Sequence, residues 1–193
     1  MTDFAIRRLR PGDSLDALTQ MLHRAFEELA RQGTICECAR QDVATTRARI
    51  ARGDCFVAVT GGTIIGTLTL ERPDRASPIA CYRDAATASV HQLAVDPRRQ
   101  GEGVGRALVA HARAWARARR LARLALDTPE GAVRQVAWYV GRGFDVVDHV
   151  QVPGRGYRSV VLAMSLDGSA ARRSLNQTST SSFMPSRVQP CAA

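Results

Sequence analysis

The chain has 193 residues, enough for one domain with a real core, and 45% hydrophobic residues, ordinary for a globular protein. Its net charge of +9 comes from 27 basic residues against 18 acidic ones, and every basic residue is arginine, since the sequence holds no lysine. Five scattered cysteines (Cys36, Cys38, Cys55, Cys81 and Cys191) argue against a disulfide scaffold, and Cys36-x-Cys38 lacks the spacing and nearby His of a zinc site, so no metal and reduced thiols in a cytoplasm are expected.

Residues 3–10 alternate apolar and polar side chains (Phe4, Ile6, then Leu9) and predict a first strand, ended by Pro11-Gly12. Residues 1–13 contain charges and no sufficient apolar run, so no secretory signal is expected. Asp13 or Ser14 can cap a helix reaching about Arg31. On it Leu15, Leu18, Leu22, Phe26 and Leu29 share one face and predict core packing, with His23 beside that stripe. Residues 32–40 predict a loop and 41–52 a second helix ending at Gly53. Residues 55–59 and 63–70 are β-branched runs joined by Thr60-Gly61-Gly62, a hairpin signal. The longest uncharged stretch, 55–70, is shorter than a membrane span and is broken by Gly61-Gly62. Residues 71–87, with two prolines, several charges and Tyr82, predict a loop.

A central strand follows at 90–95. Strict alternation would put Ser89, His91, Leu93 and Val95 on one face and Val90, Gln92 and Ala94 on the other. After Gly103 a long helix carries Val104, Leu108, Ala112 and Trp115 toward the sheet, with Arg106, Arg113, Arg117 and Arg120 outward. Residues 121–127 predict a strand parallel to the one before. A helix over 131–141, a strand from Gly143-Phe144 to about Val147, a turn at 153–156 and a last strand over 157–166 complete the domain, set at 1–167. Residues 168–193, rich in Ser, Thr, Asn and Gln without apolar periodicity, predict a disordered polar tail.

Between the central strand and the long helix lies Asp96-Pro97-Arg98-Arg99-Gln100-Gly101-Glu102-Gly103-Val104-Gly105-Arg106. Glycines let backbone approach a ligand closely, and a helix N-terminus offers unpaired N–H groups to phosphate. A P-loop is excluded because it needs a lysine. A dinucleotide fold needs G-x-G-x-x-G. Here the glycines fall at 101, 103 and 105, and only one βαβ unit follows, although Asp127 stands where a ribose-binding acid would sit.

Gln100-x-x-Gly103-x-Gly105 after an apolar strand resembles the acyl-CoA-binding motif of the GNAT N-acetyltransferases, written Q/R-x-x-G-x-G/A. Ala137-Trp138-Tyr139-Val140-Gly141-Arg142-Gly143-Phe144 resembles the family's second signature, an aromatic-rich helix end followed by G-F. The element order βααβββαβαββ over about 3–167 is similar to the family's. The resemblance implies an α/β fold with a mixed, mostly antiparallel sheet, a splayed parallel strand pair and flanking helices. It implies an acetyl-CoA-dependent N-acetyltransferase in which an amine attacks the thioester directly.

Carried onto this chain, the resemblance gives the pantetheine arm to the backbones of Leu93, Ala94 and Val95. It gives the pyrophosphate to the amides of Gln100, Gly101, Glu102, Gly103, Val104, Gly105 and Arg106. Arg98 or Arg99 could reach the nucleotide end, and Glu102 is expected to point away from it. His91 is the candidate base, since arylalkylamine acetyltransferases carry histidines on this strand and a histidine titrates near neutral pH. Many members have Glu where this chain has Ser89. Tyr139 is the candidate acid for the leaving thiolate. Many members have an Asn contacting the arm where this chain has Ala132.

Glu28, Glu37 and Asp42, in the region lining the acceptor side in this fold, could meet a cationic substrate. A small-molecule amine is the expected acceptor, with a protein N-terminus as an alternative, and a non-catalytic acyl-CoA-binding or sensing module as another. Aromatics are 5% and are not interleaved with the arginines, which argues against nucleic acid as partner. A homodimer stays open.

Overall fold

In the computed structural model, residues 3–31 and 37–167 are described. The expected polar tail and the side chains of Glu28, Leu29 and Glu37 lie outside the described residues. Strands β1 (Ala5–Arg8), β2 (Asp54–Thr60), β3 (Thr63–Glu71), β4 (Thr87–Val95), β5 (Arg123–Pro129), β6 (Asp145–Gln151) and β7 (Arg158–Ser165) form one sheet. Its order is β1-β2-β3-β4-β5-β7-β6. Neighbours run antiparallel except β4 and β5, which are parallel.

The helices are α1 (Leu15–Arg31), α2 (Val43–Ile50), α3 (Ala80–Arg83), α4 (Val104–Ala118) and α5 (Val133–Val140). Among the described residues no helix is long and apolar enough to cross a membrane. The apolar stripe of α4 packs as its spacing predicts. Val104, Leu108, Ala112 and Trp115 are buried against Leu68, Leu70, Val90, Leu124, Leu126 and Leu162. On the opposite face, Leu18, Met21 and Leu22 of α1 are fully buried against Val57, Ile64 and Ala94. Farther along that face, Ile79 and Tyr82 pack on Ala125, Val161 and Ala163.

Three sequence expectations are corrected here. The segment 71–87 is not all loop, because β3 runs on to Glu71, β4 starts at Thr87, and Ile79 and Tyr82 are buried around the single turn of α3. The second helix is shorter than 41–52, because the Asp42 side chain accepts the Thr45 N–H at 2.7 Å and caps it.

The third concerns β4, whose faces do not alternate throughout. Thr67 pairs with Ala94 but Thr69 pairs with His91, so β4 carries an extra residue, and Gln92 takes up the strain with φ +49°. The bulge switches parity. Ala88 and Val90 before it, and Leu93 and Val95 after it, all pack on the α4 side, whereas Ala94 packs on the α1 side. His91 lies with Tyr82, on the face opposite Val90, and not with Leu93 and Val95.

The parallel pair is short. β4 meets β5 only at Thr87↔Arg123, Ala88↔Leu124 and Ser89↔Ala125, while β5 continues pairing with β7 to Pro129↔Ser159. Beyond Ser89 the two strands part, which is the splay expected of this fold.

Asp13 ties β1 to the start of α1. It accepts two hydrogen bonds from Arg7, at 2.7 and 2.8 Å, and one from the Arg10 backbone at 2.7 Å. The Arg7 guanidinium, against the opposing effect of burial, lowers the Asp13 carboxyl to about 2. A lowered carboxylate pKa adds stability above the unfolded value and loses it as pH falls through the folded one. Asp13→Ala is therefore expected to lower the unfolding free energy at pH 7 by about 1–2 kcal/mol. In urea titrations the gap to the unsubstituted protein should close as pH falls from about 4 toward 2.

Candidate functional site

The parted strands open a cleft of about 880 Å³. Asp96 donates its backbone N–H to Ile65 O at 2.9 Å, toward β3. Strand alternation then turns the N–H and C=O groups of Leu93 and Val95 the other way, into the gap. Among the described residues they form an unpaired strand edge along the cleft wall.

Asp96 fixes the turn that follows. Its buried carboxylate accepts from the Arg98 backbone (3.1 Å), from Arg98 Nε and Nη2 (3.0 and 2.9 Å) and from Arg24 Nη2 of α1 (2.8 Å). The Arg98 guanidinium, with Arg24, holds this carboxyl well below the usual range despite burial. Residues 97–99 make one 3-10 turn, and the chain then passes Gly101 (φ +84°) and Gly103 (φ +85°) into α4. A side chain is strained at such φ values, which explains both glycines. Gly105 answers a different need: a Cβ there would lie 3.1 Å from Trp138 Cζ2, so glycine lets α5 close on the start of α4.

Residues 99–106 all line the cleft, as do Leu93, Ala94 and Val95, so the residues expected to hold the cofactor are brought together. Arg98 is not among the lining residues, being turned onto Asp96. Arg99 lines the cleft but pairs with Glu102 at 2.8 Å, so that carboxylate is matched by a cation of its own. Arg106, Arg134 and Arg142 add positive charge. The Arg142 guanidinium lies 3.5 Å over the Trp138 ring, its Nε is buried without a partner among the described residues, and burial together with Arg106 lowers its pKa. Two cations that repel each other beside exposed helix-end amides suit a polyphosphate.

A second cleft, of about 360 Å³, adjoins the first. Leu93, Gln135 and Tyr139 line both. Both candidate catalytic residues, His91 and Tyr139, line the smaller one. His91 Nε2 lies 2.8 Å from Ser89 Oγ and 3.7 Å from Glu71 Oε2. Its ring meets the edge of Tyr82, with centroids 5.5 Å apart. Burial pushes its pKa below the ordinary histidine value, against the pull of Glu71 and Asp127. Tyr139 packs edge-on to Trp138 and Phe144, and burial, with the Asp127 charge, pushes its phenol well above the ordinary value.

Asp42, read as a possible substrate carboxylate, is instead occupied as the cap of α2. Glu28 and Glu37 fall outside the described side chains. Sequence reasoning missed three residues of the smaller cleft. Glu71 was read as the first residue of a loop, and its lone signal is a charge closing an apolar run. Arg155 pairs with Asp127, which also accepts from the Tyr82 hydroxyl at 3.0 Å. Gln135 sits one helical turn before Tyr139, and its Oε1 is buried without a partner among the described residues.

Gly103→Ala is expected to cost about 1 kcal/mol, because alanine must adopt the left-handed conformation there. In a chain of this size that lowers Tm by about 2–4 °C, and a thermal melt checks it.

Comparisons with known proteins agree on the architecture. The model of the acetyltransferase (GNAT) family matches residues 15–144. The ribosomal-protein-S18-alanine N-acetyltransferase of Escherichia coli superposes with a TM-score of 0.63 at 19% identity, over 84% of this chain and 94% of that one. A GCN5-related N-acetyltransferase from Kribbella flavida gives 0.63 at 23% identity, over 84% of this chain and 98% of that one. A GNAT family acetyltransferase from Elizabethkingia anophelis with acetyl-CoA bound gives 0.61 at 16% identity, over 86% and 99%. At such identities these likenesses speak for the fold. No curated protein matches the chain. With the family model spanning 15–144 and the glycine turn, splayed strands and adjoining clefts all in place, this chain belongs to the GNAT acetyltransferase family.

Proposed function

We propose that the protein moves an acetyl group from acetyl-CoA to the nitrogen of a small-molecule amine, by direct attack of the amine on the thioester. The observation that carries this reading is the meeting of the two clefts at Leu93, Gln135 and Tyr139. A long anionic donor fits the larger cleft, an acceptor fits the smaller, and the reacting atoms would lie between them.

Acetyl-CoA supplies an activated acyl group. The residues of the chain do the rest. Amides of residues 100–106, the N-terminal end of α4 and the guanidiniums of Arg106 and Arg142 bind the phosphates. The backbones of Leu93 and Val95 hold the arm as an added strand would be held. Gln135, whose side-chain oxygen has no partner among the described residues, offers the arm an acceptor where Ala132 cannot. His91, neutral at physiological pH because its pKa is lowered, takes the proton from the substrate ammonium, directly or through water. A C–N bond then forms as the C–S bond breaks, and the surplus proton left on the nitrogen passes through water to restore the Tyr139 phenol once that group has protonated the sulfur. Tyr139, whose raised pKa keeps it protonated, gives its proton to the departing sulfur.

Ligand binding to the native state raises Tm. Acetyl-CoA and CoA should do so here, and NAD should not. Thiol release with a panel of amines then reports turnover. His91→Ala and Tyr139→Phe should each lower kcat by about 10²–10⁴ while leaving the acetyl-CoA-induced shift in Tm. Activity should fall as pH drops through the His91 pKa, below the ordinary 6.5, since the protonated ring cannot accept. Undiminished turnover in both variants would remove the assigned roles. Acetyl-CoA binding with no turnover of any amine would favour a sensing module instead.

A further inference from the structure

We propose that Glu71 is the positioning residue for His91: held by the β3–β4 register, its carboxylate keeps the imidazole proton on Nε2 and leaves Nδ1 to accept the substrate proton. This inference rests on the reading of His91 as the base.

The register makes the contact. Glu71 pairs with Ser89, and Thr69 pairs with His91. Directly opposed residues share a face, and diagonal neighbours remain within reach of long side chains. Glu71 therefore stands beside Ser89 and diagonally across from His91. It is 7% exposed, and a carboxylate so buried needs compensating partners. Its Oε2 has Arg52 Nη2 at 3.4 Å on one side and His91 Nε2 at 3.7 Å on the other.

The second distance is too long for a hydrogen bond, but it is well within ion-pair range. The hydrogen bond of Nε2 goes to Ser89 Oγ at 2.8 Å. Among the described residues Nδ1 has no hydrogen-bond partner. A negative charge beside Nε2 favours the tautomer with its proton there and stabilises the cation that forms when Nδ1 takes a second one. The division of labour is that of a carboxylate holding a catalytic histidine from behind.

Other charges face the ring from each neighbouring element. Asp127 of β5 favours the cation, but it is ion-paired with Arg155 from the β6–β7 turn. Arg52, beyond the end of α2, opposes the cation, but its side chain is 59% exposed and water screens it. Tyr82 and Tyr139 are uncharged, both phenols being raised in pKa by burial. Glu71 is the carboxylate within 3.7 Å of the ring nitrogen, while Asp127, on the same face, is taken up by Arg155 and by the Tyr82 hydroxyl.

The test is the titration and tautomer of His91, read by imidazole nitrogen and carbon NMR on the full chain without ligand, in parallel with kcat and KM. Glu71→Gln keeps the shape and removes the charge. It should lower the His91 pKa by about one unit, shift the acid limb of kcat/KM to lower pH, and cut kcat with the KM for acetyl-CoA unchanged. Glu71→Asp should restore part of each. Should Glu71→Gln not fold, Glu71→Asp carries the test, since drawing the carboxylate back by one carbon should lower the His91 pKa by a smaller amount. An unmoved pKa and tautomer in folded Glu71→Gln, or in Glu71→Asp where Glu71→Gln does not fold, overturns the proposal. The shift is seen without any acceptor, so it separates from the acetyltransferase reading. A moved pKa in a protein that acetylates no amine supports the Glu71–His91 coupling and removes its catalytic purpose.

Discussion

The parting of β4 from β5 after Ser89 and Ala125 is the constraint on which the rest of the site depends. Two parallel strands that part leave backbone groups without a ladder, and in a folded interior such groups need partners. Here the gap is wedged from the β4 side. Gln92 holds φ +49°, a conformation that costs a residue with a side chain about 1–2 kcal/mol. A polar network, part of it buried, holds the side-chain nitrogen of that residue. Gln92 Nε2 donates to Gln41 Oε1 at 3.1 Å, Arg49 donates to the same oxygen at 2.6 Å, and Gln41 Nε2 donates to Thr46 Oγ1 at 2.8 Å. Thr19 of α1 donates to Thr46 at 2.8 Å. The bulge is thus tied to α1 and α2 at once, and the segment before α2 acts on the opening from across the sheet. The parity switch at Gln92 also separates tasks: His91 is left toward Tyr82 and the smaller cleft, while Leu93 and Val95 keep their side chains on the α4 core and their backbones for the gap.

Charge in the larger cleft is arranged by compensation. An arginine-rich chain could crowd an anion site with indiscriminate cations. Instead Arg24 and Arg98 are absorbed by one buried carboxylate, Asp96, and Arg99 by Glu102. Those pairs set the shape of the turn. Arg106 and Arg142 are left to set its potential, Arg142 being oriented by the Trp138 ring that Gly105 admits. Asp96 therefore serves as more than a strand stop. It locks the end of β4 and α1 to the start of the glycine turn, so that the backbone donors of that turn are held in place.

Much of this was legible in the sequence. The period of Val104, Leu108, Ala112 and Trp115 predicted α4 and its buried face, Thr60-Gly61-Gly62 the hairpin, and the spacing of Gly101, Gly103 and Gly105 the tight turn into α4. The bulge was not legible, because a period of two extrapolates smoothly through Gln92 and nothing in a glutamine announces a left-handed conformation. Glu71 was hidden for a related reason. Its neighbour Ser89 lies far along the chain, and their pairing depends on how the segment between them folds around Ile79 and Tyr82. Ser89 suggested a missing carboxylate on β4, yet the next strand brings one to the same face. Capping and substrate binding draw on the same short carboxylate, and it is the backbone N–H of Thr45 that shows Asp42 serving as the cap.

In the proposed reaction one desolvated setting prepares two opposite roles. Burial disfavours whichever form of a group is charged. For His91 that form is the protonated one, so burial lowers its pKa and leaves a free base. For Tyr139 it is the phenolate, so burial raises its pKa and preserves an acid. The same exclusion of water thus separates base from acid without a dedicated charge for either. Unopposed, however, it would weaken His91, since a base whose cation is too costly to form accepts no proton. A carboxylate is needed near that ring and would be redundant near Tyr139. Glu71 stands 3.7 Å from the histidine, and the acid nearest in effect to Tyr139, Asp127, is already bound by Arg155. Placing a carboxylate beside His91, with the exposed Arg52 as its other partner, keeps the ring a base that can still be protonated, while burial alone suffices for the tyrosine.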